Sequence, residues 1–246
     1  MSDVTMAAGG GISVGQHLQA SVFGFTINVD TVISTVLAAG IVLGFGLYLR
    51  ARYHSGAKVP TGGQLAFEAV TVQIEKQVEQ NLGLRTAPFV VPLAISLFFF
   101  ILISNWLSLL PHAFEEYARP PSADINFTLP LAFMVIVLVH ITGVRKKGTG
   151  HYFAHFAKPF PALLPIEIIQ EIVKPFSLAL RLFGNILAGT VMVAVLALLP
   201  GYISWAPTAA WKLFDLFIGL LQAVIFVILT IIYFGMAAGP DQEEAH

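Results

Sequence analysis

Cysteine is absent from the 246 residues, which excludes disulfides, thiolate catalysis and sulfur-ligated metal sites together and leaves the redox compartment unread. Charge is scarce too. Only 11% of residues are Asp, Glu, Lys or Arg against 57% hydrophobic, so too little polar side-chain surface is present to coat a soluble globule of this size. A net charge of −1 gives no electrostatic footprint for nucleic acid as a partner. Internal repeats, low-complexity tracts and a soluble domain are also missing. The first eleven residues, MSDVTMAAGGG, carry no Lys or Arg and lack the basic start of a secretory signal peptide, so the N-terminus is expected to be retained. The glycine-rich Ala8–Gly11 run is not followed by a strand, a helix start and a lysine, so it is no phosphate loop. His17, His140, His151 and His155 have spacings that suit no compact metal site. They read as solvated or interfacial histidines, and neither metal nor other cofactor is expected.

What is present is apolar sequence in long runs, with a mean hydropathy of +0.80 and 20 phenylalanines. The class that follows is an all-α integral membrane protein in a lipid bilayer, one membrane domain over residues 1–246. A hydrocarbon core of about 30 Å needs about 20 apolar helical residues. By that measure the spans are about 32–49, 88–110, 127–143, 161–199 and 205–238, the last two separated by a break at Pro200, Gly201 and Pro207. A helix from Pro165 to Leu199 is about 50 Å long, far more than a perpendicular crossing needs, so either it tilts steeply or Pro175 bends it. Between the first two spans, Leu65, Phe67, Val70, Ile74, Val78 and Leu82 recur at near-helical spacing beside Glu68, Glu75, Lys76 and Glu79, which predicts a surface helix.

Of the 13 Lys and Arg residues, nine fall in two connections: Arg50, Arg52, Lys58, Lys76 and Arg85, then Arg145, Lys146, Lys147 and Lys158. The positive-inside rule makes those loops cytoplasmic. Five crossings then leave the N-terminus outside and the C-terminus inside, since the Pro111–Ile125 connection holds only Arg119. Trp106, Trp205 and Trp211 fit interfacial belts.

The most informative residue is Arg181, a guanidinium within the apolar stretch Phe176–Pro200. Arginine keeps its charge in any protein environment, and placing it mid-helix costs roughly 2.5–3.5 kcal/mol on insertion scales. A charge so expensive marks a functional site that needs a partner. On a helical wheel with Glu167 at zero, Glu171 falls at about 40°, Lys174 at about −20°, Arg181 at about −40° and Asn185 at about 0°. Gln170 and Ser177 flank the stripe at about −60° and −80°. The final segment repeats the arrangement more sparsely: from Asp215, Gly219 lies at about 40°, Gln222 at about −20°, Thr230 at about 60° and Tyr233 at about 0°. Two helices joined by a short turn can face these edges to each other, with Gln222 expected to hydrogen-bond Arg181 or Asn185.

Carboxylates flank the arginine along the chain, Glu167 and Glu171 before it and Asp215 after it. They exchange protons with water whereas Arg181 cannot, which describes two half-channels separated by a plug. The bland alternatives are a structural salt bridge of Arg181 with Glu171 or Asp215, a Lys174–Glu171 pair one turn apart, and interhelical glue for Asn185 and Gln222. An ion pair of Asp215 with Lys212 is another. At the level of the whole protein the alternatives are a self-contained secondary transporter, which the lack of repeats disfavours, and a scaffold whose stripe only cements assembly.

The run Phe176-Ser-Leu-Ala-Leu-Arg-Leu-Phe-Gly-Asn-Ile-Leu-Ala-Gly189, with Lys174-Pro175 before it and Leu221-Gln-Ala-Val-Ile-Phe226 after, resembles subunit a of F-type ATP synthase, subunit 6 in mitochondria. Ser104-Asn-Trp-Leu-Ser-Leu-Leu-Pro111 and Ser122-Ala-Asp-Ile-Asn-Phe-Thr-Leu129 extend the resemblance over most of the chain beyond about Phe67. It implies a stator subunit that is not an enzyme by itself, packed against a rotor ring of c subunits with membrane carboxylates and against b-type peripheral-stalk subunits. It implies that Arg181 faces the ring, with Asn185 and Gln222 as polar neighbours and Glu167 on the cytoplasmic exit path, and that the last two segments form a tilted hairpin. Glu171 and Asp215 join the path, with Ser177, Thr190 and Lys174 secondary. The implied setting is a bacterial inner membrane rather than a mitochondrial one, with protons rather than sodium as the transported ion. At Thr190 the sequence departs from the family, which has an ionisable group there; His112, Glu115, Glu116 and Asp124 are the possible helpers.

Overall fold

The structure, a computed structural model, describes residues 19–22, 25–54, 61–84, 86–109, 120–150, 152 and 164–238. A short hairpin comes first: strands β1 (Gln19–Val22) and β2 (Phe25–Asn28) pair antiparallel, with Gln19 opposite Asn28 and Val22 opposite Phe25. Six long helices follow among the described residues, so the all-α membrane class holds with this one small addition. They are α1 (Val29–His54), α2 (Gly62–Asn81), α3 (Val90–Trp106), α4 (Ile125–Lys147), α5 (Leu164–Leu196) and α6 (Gly201–Ala238).

Four of these, α1, α4, α5 and α6, are long and apolar enough to cross a membrane. The chain is a multi-pass membrane protein. The remaining apolar helix, α3, has 17 residues and is continued by a 3₁₀ turn over Leu107–Leu109. Its contour, about 1.5 Å per α residue and 2 Å per 3₁₀ residue, comes to about 31 Å, close to a hydrocarbon thickness. The expected surface helix is α2, and it buries Ile74 and Val78 from the predicted apolar positions.

Helix ends follow local chemistry. At the end of α2, Gly83 takes φ 76° and its N–H reaches the carbonyls of Val78 and Glu79, the left-handed C-terminal turn that a side chain would strain. Gly148 does the same after α4 at φ 78°, where Arg145, Lys146 and Lys147 also complement the negative end of the helix dipole. Asp124 starts α4, its Oδ1 accepting the Asn126 N–H at 2.9 Å.

The last two segments differ from expectation in one respect. α6 begins at Gly201, with the Ile203 and Ser204 N–H groups on the Pro200 carbonyl, and runs through Pro207 without a break. Pro207 removes a single backbone bond near the end of the second turn, a loss a long apolar helix absorbs. Likewise α5 remains one helix through Pro175. With 33 and 38 residues, α5 and α6 measure about 50 and 57 Å, well beyond the bilayer core.

Packing divides the chain into two units. One comprises residues up to Gly44, Phe100–Thr128 and Leu180–Gln222; the other comprises Phe45–Phe99, Leu129–Ala179 and residues from Ala223 on. Their interiors differ in chemistry. Of the eleven buried polar or charged residues among those described, nine belong to the first unit: Asp30, Thr31, Ser34, Ser104, Asn105, Ser122, Asp124, Thr128 and Gln222. Among the described residues the second buries only Thr142 and Thr230 of this kind, and otherwise chiefly apolar side chains such as Val90, Leu97, Val135, Phe226 and Phe234, with Tyr152. Phe67 stacks on Phe99 at 5.3 Å and meets Phe45 edge-on, which seats α2 there, and Phe89, just before α3, meets Phe234 edge-on.

Candidate functional site

In the first unit the polar groups form a connected set around Asp215. Ser108 Oγ donates to Asp215 Oδ2 at 3.2 Å and to the Asn105 carbonyl at 2.7 Å. Lys212 Nζ donates to the Ser108 carbonyl at 2.9 Å rather than to Asp215, so the alternative of a Lys212–Asp215 ion pair gives way to a shared scaffold. Asn105 donates to the Gly219 carbonyl at 3.1 Å and accepts from Ser122 Oγ at 2.8 Å. Trp106 Nε1 donates to the Leu216 carbonyl at 3.3 Å. The end of α3 and the 3₁₀ turn that follows therefore fix α6 through its backbone. Such groups in an apolar setting cost free energy unless paired, so the pairing locks this geometry.

Asp124 occupies a second buried knot. Its Oδ2 accepts from Asn28 Nδ2 at 2.6 Å and from Thr31 Oγ1 at 2.9 Å, while Asp30 Oδ1 accepts the Thr31 N–H. Thr190 does not reach toward Asp215 chemically: its hydroxyl donates to the Ile186 carbonyl of its own helix at 2.9 Å. The residue before it makes the approach instead. A Cβ at Gly189 would lie 2.8 Å from Asp215 Oδ1, so absence of a side chain lets the carboxylate sit against α5.

Arg181 is exposed, and among the described residues no carboxylate lies within ion-pair distance of it. One and two turns onward on its face of α5 stand Gly184 and Ala188, and no atom comes within 4 Å of where a Gly184 Cβ would be. Asn185 is half-buried with Nδ2 unpartnered, and Gln222 is buried. The expected Gln222 bond to Arg181 or Asn185 is not formed. Periodicity places these residues on facing edges but does not fix side-chain reach, which is why the expectation goes too far.

In the second unit, Glu171 is the centre. Its Oε2 accepts from Lys174 Nζ at 2.5 Å, the one-turn pair expected from sequence, and Lys174 also sits 5.5 Å over the Tyr233 ring. Its Oε1 faces His140 Nε2 at 3.5 Å. The other ring nitrogen, Nδ1, lies 2.8 Å from the Tyr152 hydroxyl. Tyr152 is buried beside Gly143, whose missing Cβ makes room for the ring. Burial, and secondarily the Glu171 charge, pushes its phenol up to about 12 from 10.0. His140, partly exposed, is thus engaged at both ring nitrogens. Glu167 and Ser177 are half-buried and carry no ion pair or hydrogen bond among the described residues.

The structure thus gathers Asp215 with groups that sequence reasoning did not rank: Ser108, Asn105, Ser122 and Gly189. Their signal was the i, i+3 pair Asn105 and Ser108 closing an apolar run, within a motif noted only for resemblance. His112, Glu115, Glu116, His17, His151, His155, Lys58, Arg85, Arg119 and Lys158 lie outside the described residues.

A sequence model of the family described as "ATP synthase A chain" matches residues 32–235. The chain is 49% identical over 241 residues to ATP synthase subunit a of Mycobacterium leprae, covering 95% of this chain and 96% of that one. It is 50% identical over 243 residues to the same-named protein of Mycobacterium marinum, with 96% of each covered. A more distant relative of that name, from Desulforamulus reducens, is 32% identical over 90% of this chain and 84% of its own length.

Proposed function

Because the chain belongs to the ATP synthase A-chain family, we propose that it is the proton-translocating stator subunit of the membrane sector of an F-type ATP synthase. It acts in a bacterial inner membrane as one membrane domain with five crossings, the N-terminus outside and the C-terminus cytoplasmic. It has no catalytic residue of its own. Its partners are a ring of c subunits carrying membrane carboxylates and b-type stalk subunits.

The observation that carries this reading is Arg181: a permanent cation exposed on an apolar helix, meeting no acid of its own chain among the described residues, with Gly184 and Ala188 leaving room for another helix to approach. The neutralising charge then comes from a neighbour. A ring carboxylate passing Arg181 is stabilised as an anion and releases its proton; away from it, in lipid, it takes one up. At an effective dielectric of about 20 and a separation of about 4 Å, the attraction is roughly 4 kcal/mol, enough to unload a proton and small enough to let go. A transmembrane potential contributes about 2.3 kcal/mol per charge per 100 mV and sets the direction.

Protons enter from outside through Asp215 and its Ser108–Asn105–Ser122 support, with Asp215 as the titrating group, and leave to the cytoplasm through Glu171 and Glu167. Asn185 and Gln222 supply polar neighbours for Arg181; Ser177, Thr190 and Lys174 flank the path. Arg181, which cannot give up its proton, stops direct transfer between the two routes. The test is Arg181→Ala in the assembled complex in sealed vesicles. ATP-driven proton pumping is expected to vanish with assembly intact, and normal pumping refutes the reading.

A further inference from the structure

We propose that His140 is a proton-relay residue of the cytoplasmic route, passing protons between Glu171 and water. The proposal rests on the stator reading above but not on its Arg181 step.

The geometry treats the two nitrogens of the ring differently. Nδ1 is tied to the hydroxyl of Tyr152, a side chain itself fixed by burial and by the notch at Gly143. Nε2 is left facing Glu171 Oε1 at 3.5 Å, longer than an ordinary hydrogen bond and short enough to close with a small side-chain movement. Glu171 is equally divided: Lys174 holds Oε2, so Oε1 is the oxygen available to the imidazole. The His140 side chain is 35% exposed and that of Glu171 17%, so the imidazole is the less enclosed member of the pair within its own chain.

During synthesis a protonated Glu171 gives its Oε1 proton to the Nε2 lone pair. The O–H bond breaks, an N–H bond forms, and the imidazolium keeps Nδ1–H donated to the Tyr152 oxygen. Nε2 then releases the proton to water, which returns the ring to the neutral Nδ1–H tautomer. Pumping reverses the sequence, and no other reactant is needed. Tyr152 keeps its proton throughout. Imidazole, as a class, changes charge between about pH 5 and 8, which makes it suited to exchange with a near-neutral compartment. The groups facing this site are Glu171 and Lys174 from α5 and Tyr152 from the segment after α4, with Tyr233 of α6 on the far side of Lys174.

The experiment uses the complete synthase in sealed vesicles, reading ATP-driven proton pumping per assembled complex against pH on the ATP side. His140→Gln keeps a hydrogen-bonding group of similar size without a titratable site, and is expected to slow turnover roughly tenfold and flatten the pH profile. The His140→Gln, Glu171→Gln double variant should be no slower than the slower single one, since both break one step. Tyr152→Phe frees the ring but leaves it titratable, so its turnover falls while the pH profile persists. Wild-type turnover in His140→Gln, an unchanged profile, or identical profiles in the His140 and Tyr152 variants overturns the proposal. The Arg181→Ala control separates the two readings: a silent Arg181→Ala beside a normal His140→Gln sinks the relay alone, whereas a pumping Arg181→Ala sinks the stator reading.

Discussion

Gly189 of α5 faces Asp215 of α6 so closely that a Cβ would lie 2.8 Å from Oδ1 and 3.4 Å from Oδ2. Neither carboxylate oxygen can retreat freely, because Ser108 anchors Oδ2. Gly189→Ala is therefore expected to turn the Asp215 side chain away and slow proton transport several-fold, while leaving complex yield near normal. Pumping rate per assembled complex checks it, and an unaffected rate means Asp215 is not held where transport needs it.

Asp215→Asn removes the titrating group of this set and is expected to slow pumping roughly tenfold. Thr190→Glu in that background should recover part of the loss. Residue 190 adjoins Gly189, and the Thr190 hydroxyl now spends its hydrogen bond on Ile186, so a carboxyl there adds chemistry rather than breaking an existing contact to Asp215. A double variant no faster than Asp215→Asn counts against the outer route.

Ring contact is readable by crosslinking. Ala188 and Leu187 of α5 are exposed, whereas Leu178 and Phe226 are packed inside their own chain at 2% and 1% exposure. Cysteine at Ala188, unique in this cysteine-free chain, should crosslink to cysteines placed on ring subunits, and cysteine at Leu178 or Phe226 should not. The opposite pattern would place the ring against a different face.

Gly143 and Tyr152 test packing. A Cβ at Gly143 would overlap the Tyr152 ring and lie 3.1 Å from the Ala237 carbonyl, so Gly143→Ala is expected to destabilise by roughly 1–3 kcal/mol, seen as a lower thermal inactivation temperature. Gly40→Ala meets nothing within 4 Å and serves as the comparison; it should match or slightly exceed the parent. Equal inactivation temperatures for the two refute the packing argument.

Tyr152 also predicts a pH dependence. Its folded-state phenol is raised to about 12 from 10.0, first by burial and then by Glu171. The folded form thus holds its proton longer than the unfolded one. The associated stability is fully present below about pH 10 and is lost as pH rises toward 12. The phenolate absorbance present in the parent and missing in Tyr152→Phe should have its midpoint near 12, and Glu171→Gln should lower it by the smaller share. A midpoint near 10 removes the burial argument.

Much of the architecture was legible because hydrocarbon imposes long apolar helices and satisfied backbones. The surface helix α2 and the long α5 and α6 followed from periodicity and run length alone. Legibility failed at the edges of elements. Pro207 reads as a breaker, yet α6 passes it, since the helix begins at Gly201 and its apolar length outweighs one missing bond. At the candidate site, the Lys174–Glu171 pair was readable because it spans a single helical turn.

By itself, then, the sequence determined the solvent this chain must inhabit, the helices that solvent demands, and one helix face carrying Glu167, Glu171, Lys174, Arg181 and Asn185. Those are properties of local spacing, which a helix converts into direction at a fixed angle per residue. Only tertiary structure decided which groups meet across the chain. Ser108 reaches Asp215 from 107 residues away, Asn105 reaches Gly219 from 114, and His140 turns one nitrogen to Tyr152 and the other to Glu171. Rotation and depth of packed helices set such pairs, through close approaches at Gly189 and Gly143 that no single helix encodes.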